Sequence, residues 1–400
     1  MDTLGTNYAS VVIKPKRKDS ILRKHPWIFS GAIKKIEGSP KAGDWVCVKA
    51  NKGAVLGWGH YSPGTSIAVR MLTFSEEIPT AELWYGKIKQ AVTVRQDLGL
   101  FSEDNNTCRL VFAEGDGLPG LIADYYAGVL VIQCHTPGMH NVIKTLCSAF
   151  ERALGKDLKA IYDKSSKALA KHGATESVDG LVWGKLPEKH FALENGNKFL
   201  IDWEKGQKTG FFIDQRENRK LLGEYSKGKK VLNVFSYTGG FSIYALNSGA
   251  SEVHSLDSSA RALEVAEDNV RLNGFNEKLH ISLEEDAVQY LKGEISEYDV
   301  VILDPPAFAK RASAKHNAVQ GYKRINFRAM ESMKPGSILF TFSCSQAVND
   351  KLFTDTVISA AIQSGRTVRI LHRLHQPADH PVSAFHPEGA YLKGLVLRID

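Results

Sequence analysis

The run Val231-Leu232-Asn233-Val234-Phe235-Ser236-Tyr237-Thr238-Gly239-Gly240 decides the fold. Its first half has the apolar pattern of a strand buried on both faces. Its second half is a polar turn ending in two glycines, and a helix is predicted directly after it over Phe241–Ser248. Glycine at a strand-to-helix turn lets a ligand come close to the backbone. Further strands are predicted at Glu252–Leu256, His280–Leu283, Asp299–Leu303 and Ser337–Phe342, with helical spacing between them, as in Ser258–Asn273. Strands alternating with helices from Gly228 onward indicate a doubly wound, mostly parallel α/β sheet.

In such a sheet the ligand lies beyond the strand C-termini, and here four of them end in polar residues. The first carries Phe235, Ser236, Tyr237, Thr238 and Gly239. The second ends in Asp257-Ser258, eighteen residues beyond Gly239, where a carboxylate suits a ribose diol. The third ends near Asp286-Ala287, an amide and a carboxylate that suit an adenine edge, and the fourth in Asp304-Pro305-Pro306. A dinucleotide site needs Gly-x-Gly-x-x-Gly to cradle a pyrophosphate, and that spacing is missing. S-adenosylmethionine (SAM) contains adenosine and no phosphate, so it is the expected cofactor. The alternative is a plain turn, with Asp257 capping the following helix.

Upstream, short strands at Ala9–Lys14, Asp44–Lys49, Ala54–His60 and Ile67–Leu72 indicate a small β-barrel or sandwich. A helix over 79–99, strands at Cys108–Glu114, Leu121–Tyr125 and Val129–Cys134, a helix over 139–154 and a strand over 158–163 form a mixed middle segment. Residues 172–187 read as an irregular boundary, and Phe191–Asn195 with Lys198–Trp203 as a hairpin around Gly196. The expected domains are 1–75, 76–188 and 189–400.

The chain of 400 residues carries a formal charge of +7, and this charge is unevenly placed. Residues 1–75 hold twelve lysines and arginines against four acids, a net +8, leaving −1 for the other 325. A basic module on a near-neutral body indicates a polyanion partner; a merely solubilising basic face is the alternative. No apolar run is long enough to span a membrane, and Met1–Gly5 has no signal-peptide pattern, so a cytoplasmic protein with no membrane partner is expected. The five scattered cysteines show no Cys-x-x-Cys or Cys/His spacing, so reduced thiols and no metal are expected.

Asn233–Phe241, Asp304-Pro305-Pro306-Ala307-Phe308 and Thr341-Phe342-Ser343-Cys344-Ser345 resemble motifs of the RlmI-type class I methyltransferases. So do Lys208–Arg216, Gly321-Tyr322-Lys323, Ala378–Pro381, Pro387–Gly394 and His25–Gly31, so the resemblance spans nearly the whole chain. It implies an N-terminal PUA RNA-binding domain, a central α+β domain and a Rossmann-like domain with a seven-stranded sheet. The implied activity is SAM-dependent methylation of C5 of a cytosine in large-subunit ribosomal RNA. A homodimer stays open.

Cytosine C5 is a weak nucleophile, so a cysteine must first add to C6 and make C5 enamine-like. Cys344, at the end of the fifth strand between two serines, is the expected nucleophile. Asp304 is expected at the N3/N4 edge of the base, with Pro305 and Pro306 stiffening the strand end. For removal of the C5 proton, Lys310, His380 and Glu388 are candidates. Resemblance and spacing together place Phe235, Ser236, Gly239, Asp257, Asp286 and Asp304 around the cofactor. Gln215 and Arg216 are expected to close over its carboxylate, the alternative for Arg216 being a salt bridge. Among the aromatics of the basic module, Trp27, Trp58 and Tyr61 are stacking candidates, while Trp45 and Phe29 are assigned to the core. Lys310–His316 reads as either a substrate clamp or a solvated loop. Two further readings stay open: methylation of another base or position with Cys344 structural, and a non-catalytic ribosome-assembly factor.

Overall fold

The computed structural model describes residues 8–172, 177–309 and 312–400. Lys310 and Arg311, a candidate base and part of the expected clamp, lie outside the described residues.

The seven-stranded sheet comprises β1 (Lys230–Val234), β2 (Glu252–Asp257), β3 (His280–Glu284), β4 (Val300–Leu303), β5 (Ser337–Ser343), β6 (Val368–His375) and β7 (Lys393–Ile399). Their order is β3-β2-β1-β4-β5-β7-β6, parallel except for β7, which runs antiparallel to both neighbours. Flanking helices are α1 (Arg216–Ser226), α2 (Gly240–Asn247), α3 (Ala260–Leu272), α4 (Lys315–Ser332) and α5 (Asp350–Ser364). The strand order reverses between β1 and β4, so their C-termini bound the crevice where such sheets bind ligands.

The first turn is held from below by buried polar groups. Asn233 Nδ2 donates to Ser242 Oγ (2.9 Å), which lies 2.7 Å from Ser255 Oγ, itself 2.8 Å from His280 Nε2. This chain ties β1, α2, β2 and β3 together under the loop. Gly239 caps α2 at φ +77°, and a Cβ there would stand 2.9 Å from that of Ala266. Both its conformation and its contact with α3 therefore favour glycine.

The N-terminal module is a six-stranded sheet rather than the four strands expected. The additional strands, Trp27–Phe29 and Ile33–Glu37, are short or mostly exposed, so their sequences lack the apolar alternation that marks a strand. Phe29 is a correction: its side chain is 47% exposed and lies outside the core. Trp45 packs on Trp84 and His60, and Trp58 is buried.

The middle segment is a five-stranded sheet with helices Ala81–Asp97 and Ile143–Leu154 packed together on it. Within 172–187, Gly180–Gly184 forms an edge strand paired with Ala160–Asp163, which corrects the irregular reading. That strand is largely exposed and begins and ends in glycine, which hides it in the sequence. Alternation along Val129-Leu130-Val131-Ile132 sends Leu130 and Ile132 to the helices, while Val129 and Val131 join a core containing Phe199, Phe211 and Val231. That apolar core runs unbroken across residues 188/189. No described helix is long and apolar enough to cross a membrane. All five cysteines are free, Cys344 alone being more than marginally exposed.

Candidate active site

At the C-terminal edge of β1, β2, β4 and β5 a cavity of about 240 Å³ is lined by Gln215, Phe235, Ser236, Tyr237, Thr238, Asp257, Ser258, Asp304, Pro305 and Cys344, among others. Gly239, Asp286 and Ala287 lie outside its wall. Asp286 instead caps the short helix Ala287–Tyr290, accepting from Gln289 N at 2.9 Å. A wider cleft of about 800 Å³ between the N-terminal sheet and the helix Pro137–Asn141 brings together no comparable set of reactive groups.

The loop after β1 is unusual in its backbone. Phe235 and Tyr237 both adopt positive φ (62° and 48°), a conformation costly for side chains of their size. Asp257 holds the loop in that shape, accepting from Tyr237 N (2.9 Å) through one oxygen and from Ser259 N (3.0 Å) through the other. Asn269 of α3 donates to the Thr238 carbonyl at 2.9 Å. The Ser236 hydroxyl, buried at the cavity wall, has no partner of its own. An orphaned hydroxyl beside an anchored carboxylate fits a polar nucleoside ligand such as SAM.

Arg216 does not reach this cavity, which corrects its expected placement over a cofactor carboxylate. Its side chain is 2% exposed; Nη2 donates to Asp379 Oδ2 (2.9 Å) and to the Thr107 carbonyl (2.8 Å), and Nε lies 3.7 Å from Glu194. The arginine that does line the cavity is Arg219, one turn further along α1, which sequence reasoning missed. It grips buried Glu194 through two hydrogen bonds (2.9 and 2.8 Å) and donates to the Phe212 carbonyl at 2.9 Å. Its neighbours Lys208 and Asp214 also line the cavity and were not singled out. All three fall in Lys208–Arg219, a loop leading into the first turn of α1 whose sequence has no pattern to show which side chains look inward.

Two titratable groups, Asp304 and Cys344, share the cavity wall. Burial, and then the neighbouring Asp214 carboxylate, push Asp304 up to about 7, while the Gln215 side chain opposes the shift. Burial and Asp304 likewise push the Cys344 thiol up to about 11, against the pull of Lys208. Asp214 itself stays below its ordinary range despite burial, held by Lys208, by His380 and by the Tyr391 hydroxyl, which donates to it at 2.6 Å. The loop carrying Cys344 is fixed through its neighbour. Ser345 Oγ accepts from Ala309 N (3.2 Å) and lies 3.0 Å from Tyr322 Oη, and the Ser345 carbonyl accepts from Lys393 Nζ at 2.8 Å. Of the other proton-acceptor candidates, His380 is buried against Asp379 and Glu388 lies beside His25, both away from the cavity wall.

Residues 109–398 match the family of S-adenosylmethionine-dependent methyltransferases, and residues 11–74 match a PUA-like domain. A ribosomal RNA large subunit methyltransferase I of Shewanella denitrificans is 42% identical over 97% of this chain and 99% of its own length. One from Aeromonas salmonicida is 40% identical over 96% and 97%. In fold, the chain is similar to a SAM-dependent methyltransferase from Streptococcus mutans (TM-score 0.82, 19% identity, covering 97% and 99% of the two chains). It is also similar to a methyltransferase complexed with S-adenosylhomocysteine (TM-score 0.83, 19% identity, the same coverage). With a PUA-like sheet, a β3-β2-β1-β4-β5-β7-β6 domain and a cavity suited to SAM, the chain belongs to the ribosomal RNA large subunit methyltransferase I family of SAM-dependent enzymes.

Proposed function

We propose that this protein methylates C5 of a cytosine in large-subunit ribosomal RNA through a covalent adduct on Cys344. The observation that carries the reading is the convergence of Cys344 and Asp304 on one cavity, beside the anchored Asp257 loop. Relatives at about 40% identity are named for large-subunit ribosomal RNA, which supports the substrate class. Within this reading, residues 1–75 form the RNA-binding module, 76–188 the central domain and 189–400 the methyltransferase domain.

Bound SAM supplies an electrophilic methyl group at this edge of the sheet. Asp257 and Ser236 would hold the nucleoside, with Phe235, Tyr237, Thr238, Gln215 and Ser258 enclosing it and Gly239 setting the turn. Asp304, close to half-protonated at neutral pH, donates as its neutral acid to cytosine N3 and accepts from the exocyclic amine as its carboxylate. Cys344 loses its thiol proton to water and its sulfur bonds to C6, the C5–C6 π pair moving into the ring towards N3, where the neutral Asp304 acid stabilises the charge. C5 thereby becomes nucleophilic and takes the methyl group; water then removes the C5 proton, the freed pair restores the C5–C6 double bond, and the Sγ–C6 bond breaks to return the Cys344 thiolate. Pro305 keeps the backbone at the base rigid.

RNA containing 5-fluorocytidine tests the mechanism, because fluorine at C5 blocks the final elimination. Wild type should form a denaturant-resistant protein–RNA adduct that Cys344→Ala does not. Methylation of unmodified RNA by Cys344→Ala at the wild-type rate would sink the reading.

A further inference from the structure

Outside the cavity wall, His25 of the N-terminal module meets His386 and Glu388 of the loop that leads into β7. One ligand atom from each lies within 4.8 Å of the others: His25 Nε2 is 3.5 Å and His386 Nε2 3.8 Å from the two Glu388 carboxylate oxygens. His386 is only 3% exposed, yet both of its ring nitrogens lack a hydrogen-bond partner. A buried imidazole with two unmet nitrogens calls for a partner, and a bound ion is one that can supply it. Trp27 packs edge-on against the ring at 4.3 Å, and its indole N–H is fixed by Glu114 at 2.7 Å. His386 therefore cannot turn away easily to find water.

We propose that His25, His386 and Glu388 bind one divalent transition-metal ion of zinc's class. Two imidazole nitrogens and one carboxylate make a His₂Glu donor set, and Glu388, about half exposed, leaves the fourth position to water. The ligand atoms are somewhat further apart than in a closed tetrahedral site, and the exposed Glu388 is the member free to draw in. His25 already turns Nε2 towards Glu388. Trp27 N donates to its Nδ1 at 3.1 Å, so ligation through Nε2 moves the ring proton to Nδ1, where the Trp27 carbonyl at 3.3 Å can accept it, the outer contact that metal-bound histidines usually make. The ion joins the N-terminal module to the loop that also carries Asp379, so its role is to fix the orientation of the RNA-binding sheet relative to the catalytic cavity. Sequence spacing gave no metal pattern because His25 and Glu388 are 363 positions apart.

Full-length protein stripped by a chelator and titrated with Zn²⁺ against a chromophoric competitor tests the site. We expect one equivalent with a dissociation constant below micromolar and a rise in Tm on binding. His25→Gln and Glu388→Gln, both on partly exposed side chains, should each weaken Zn²⁺ at least tenfold while SAM binding stays at the wild-type value, which certifies folding. A smaller loss in either variant, or no saturable binding by wild type, overturns the assignment.

Discussion

Arg216 and Asp379 form a buried ion pair, Nη2 to Oδ2 2.9 Å, that pins the loop before β7 against α1 and the first strand of the central sheet. Asp379 completes the junction by accepting from Arg109 N at 3.0 Å, while its own carbonyl accepts from Arg95 at 2.7 Å. Three parts of the molecule thus meet on one carboxylate. Burial alone raises Asp379, but Arg216 and His380 hold it far below the ordinary carboxylate range.

Removing one member of this pair leaves the other charge buried and uncompensated. Arg216→Ala should therefore cost about 3–5 kcal/mol, read as a lower denaturation midpoint. Arg216→Lys should destabilise less and leave the SAM dissociation constant within about twofold, since the side chain lies outside the cavity. A tenfold loss of SAM affinity in a folded Arg216→Lys protein would return Arg216 to the cofactor.

Asp304 makes the opposite pH demand. Its folded pKa, about 7, exceeds the unfolded value near 4, so ionisation opposes folding. The protein loses stability through this group as pH rises from about 4 to 7. Asp304→Asn removes that penalty, so its Tm should exceed wild type at pH 8 and match it near pH 4, while methyl transfer falls sharply. Calorimetry at the two pH values checks the sign.

His60 is buried between the N-terminal sheet and the central domain, against Trp45 and Trp84, and burial depresses it to about 3. The unfolded chain binds its proton near 6.5, so stability is complete above that pH and falls as pH drops towards 3. At pH 5 the loss from this one residue is about 2 kcal/mol. His60→Phe should flatten the acid limb of a Tm-against-pH curve between pH 6.5 and 4; an unchanged limb would assign it to other groups.

RNA affinity is expected to depend on the basic N-terminal module through exposed side chains such as Lys16 and Lys18. Lys16→Glu with Lys18→Glu should weaken RNA binding and lower the salt-dependence slope by about one for each phosphate no longer neutralised. SAM binding should be unchanged. Substitution is preferable to deleting residues 1–75, because that would strip His60 and Trp45 away from Trp84.

The sequence by itself determined the catalytic sheet and its ligand edge. Buried parallel strands must be continuously apolar, and only their polar C-terminal ends can face a ligand, so Ser236, Asp257, Asp304 and Cys344 stood out. It could not determine which way the residues of α1 face. Arg216 and Arg219 are equally charged and three positions apart, and only packing against Asp379 and Glu194 sends one to the domain junction and the other to the cavity wall. Exposed edge strands such as Ile33–Glu37 and Gly180–Gly184 were also invisible, because their hydrogen bonds come from neighbours and not from side-chain pattern. The same reason hides the meeting of His25 with His386 and Glu388. Local sequence encodes periodicity and turns, whereas long-range charge pairs and ligand sets exist only once the chain has brought distant residues to a shared, desolvated place.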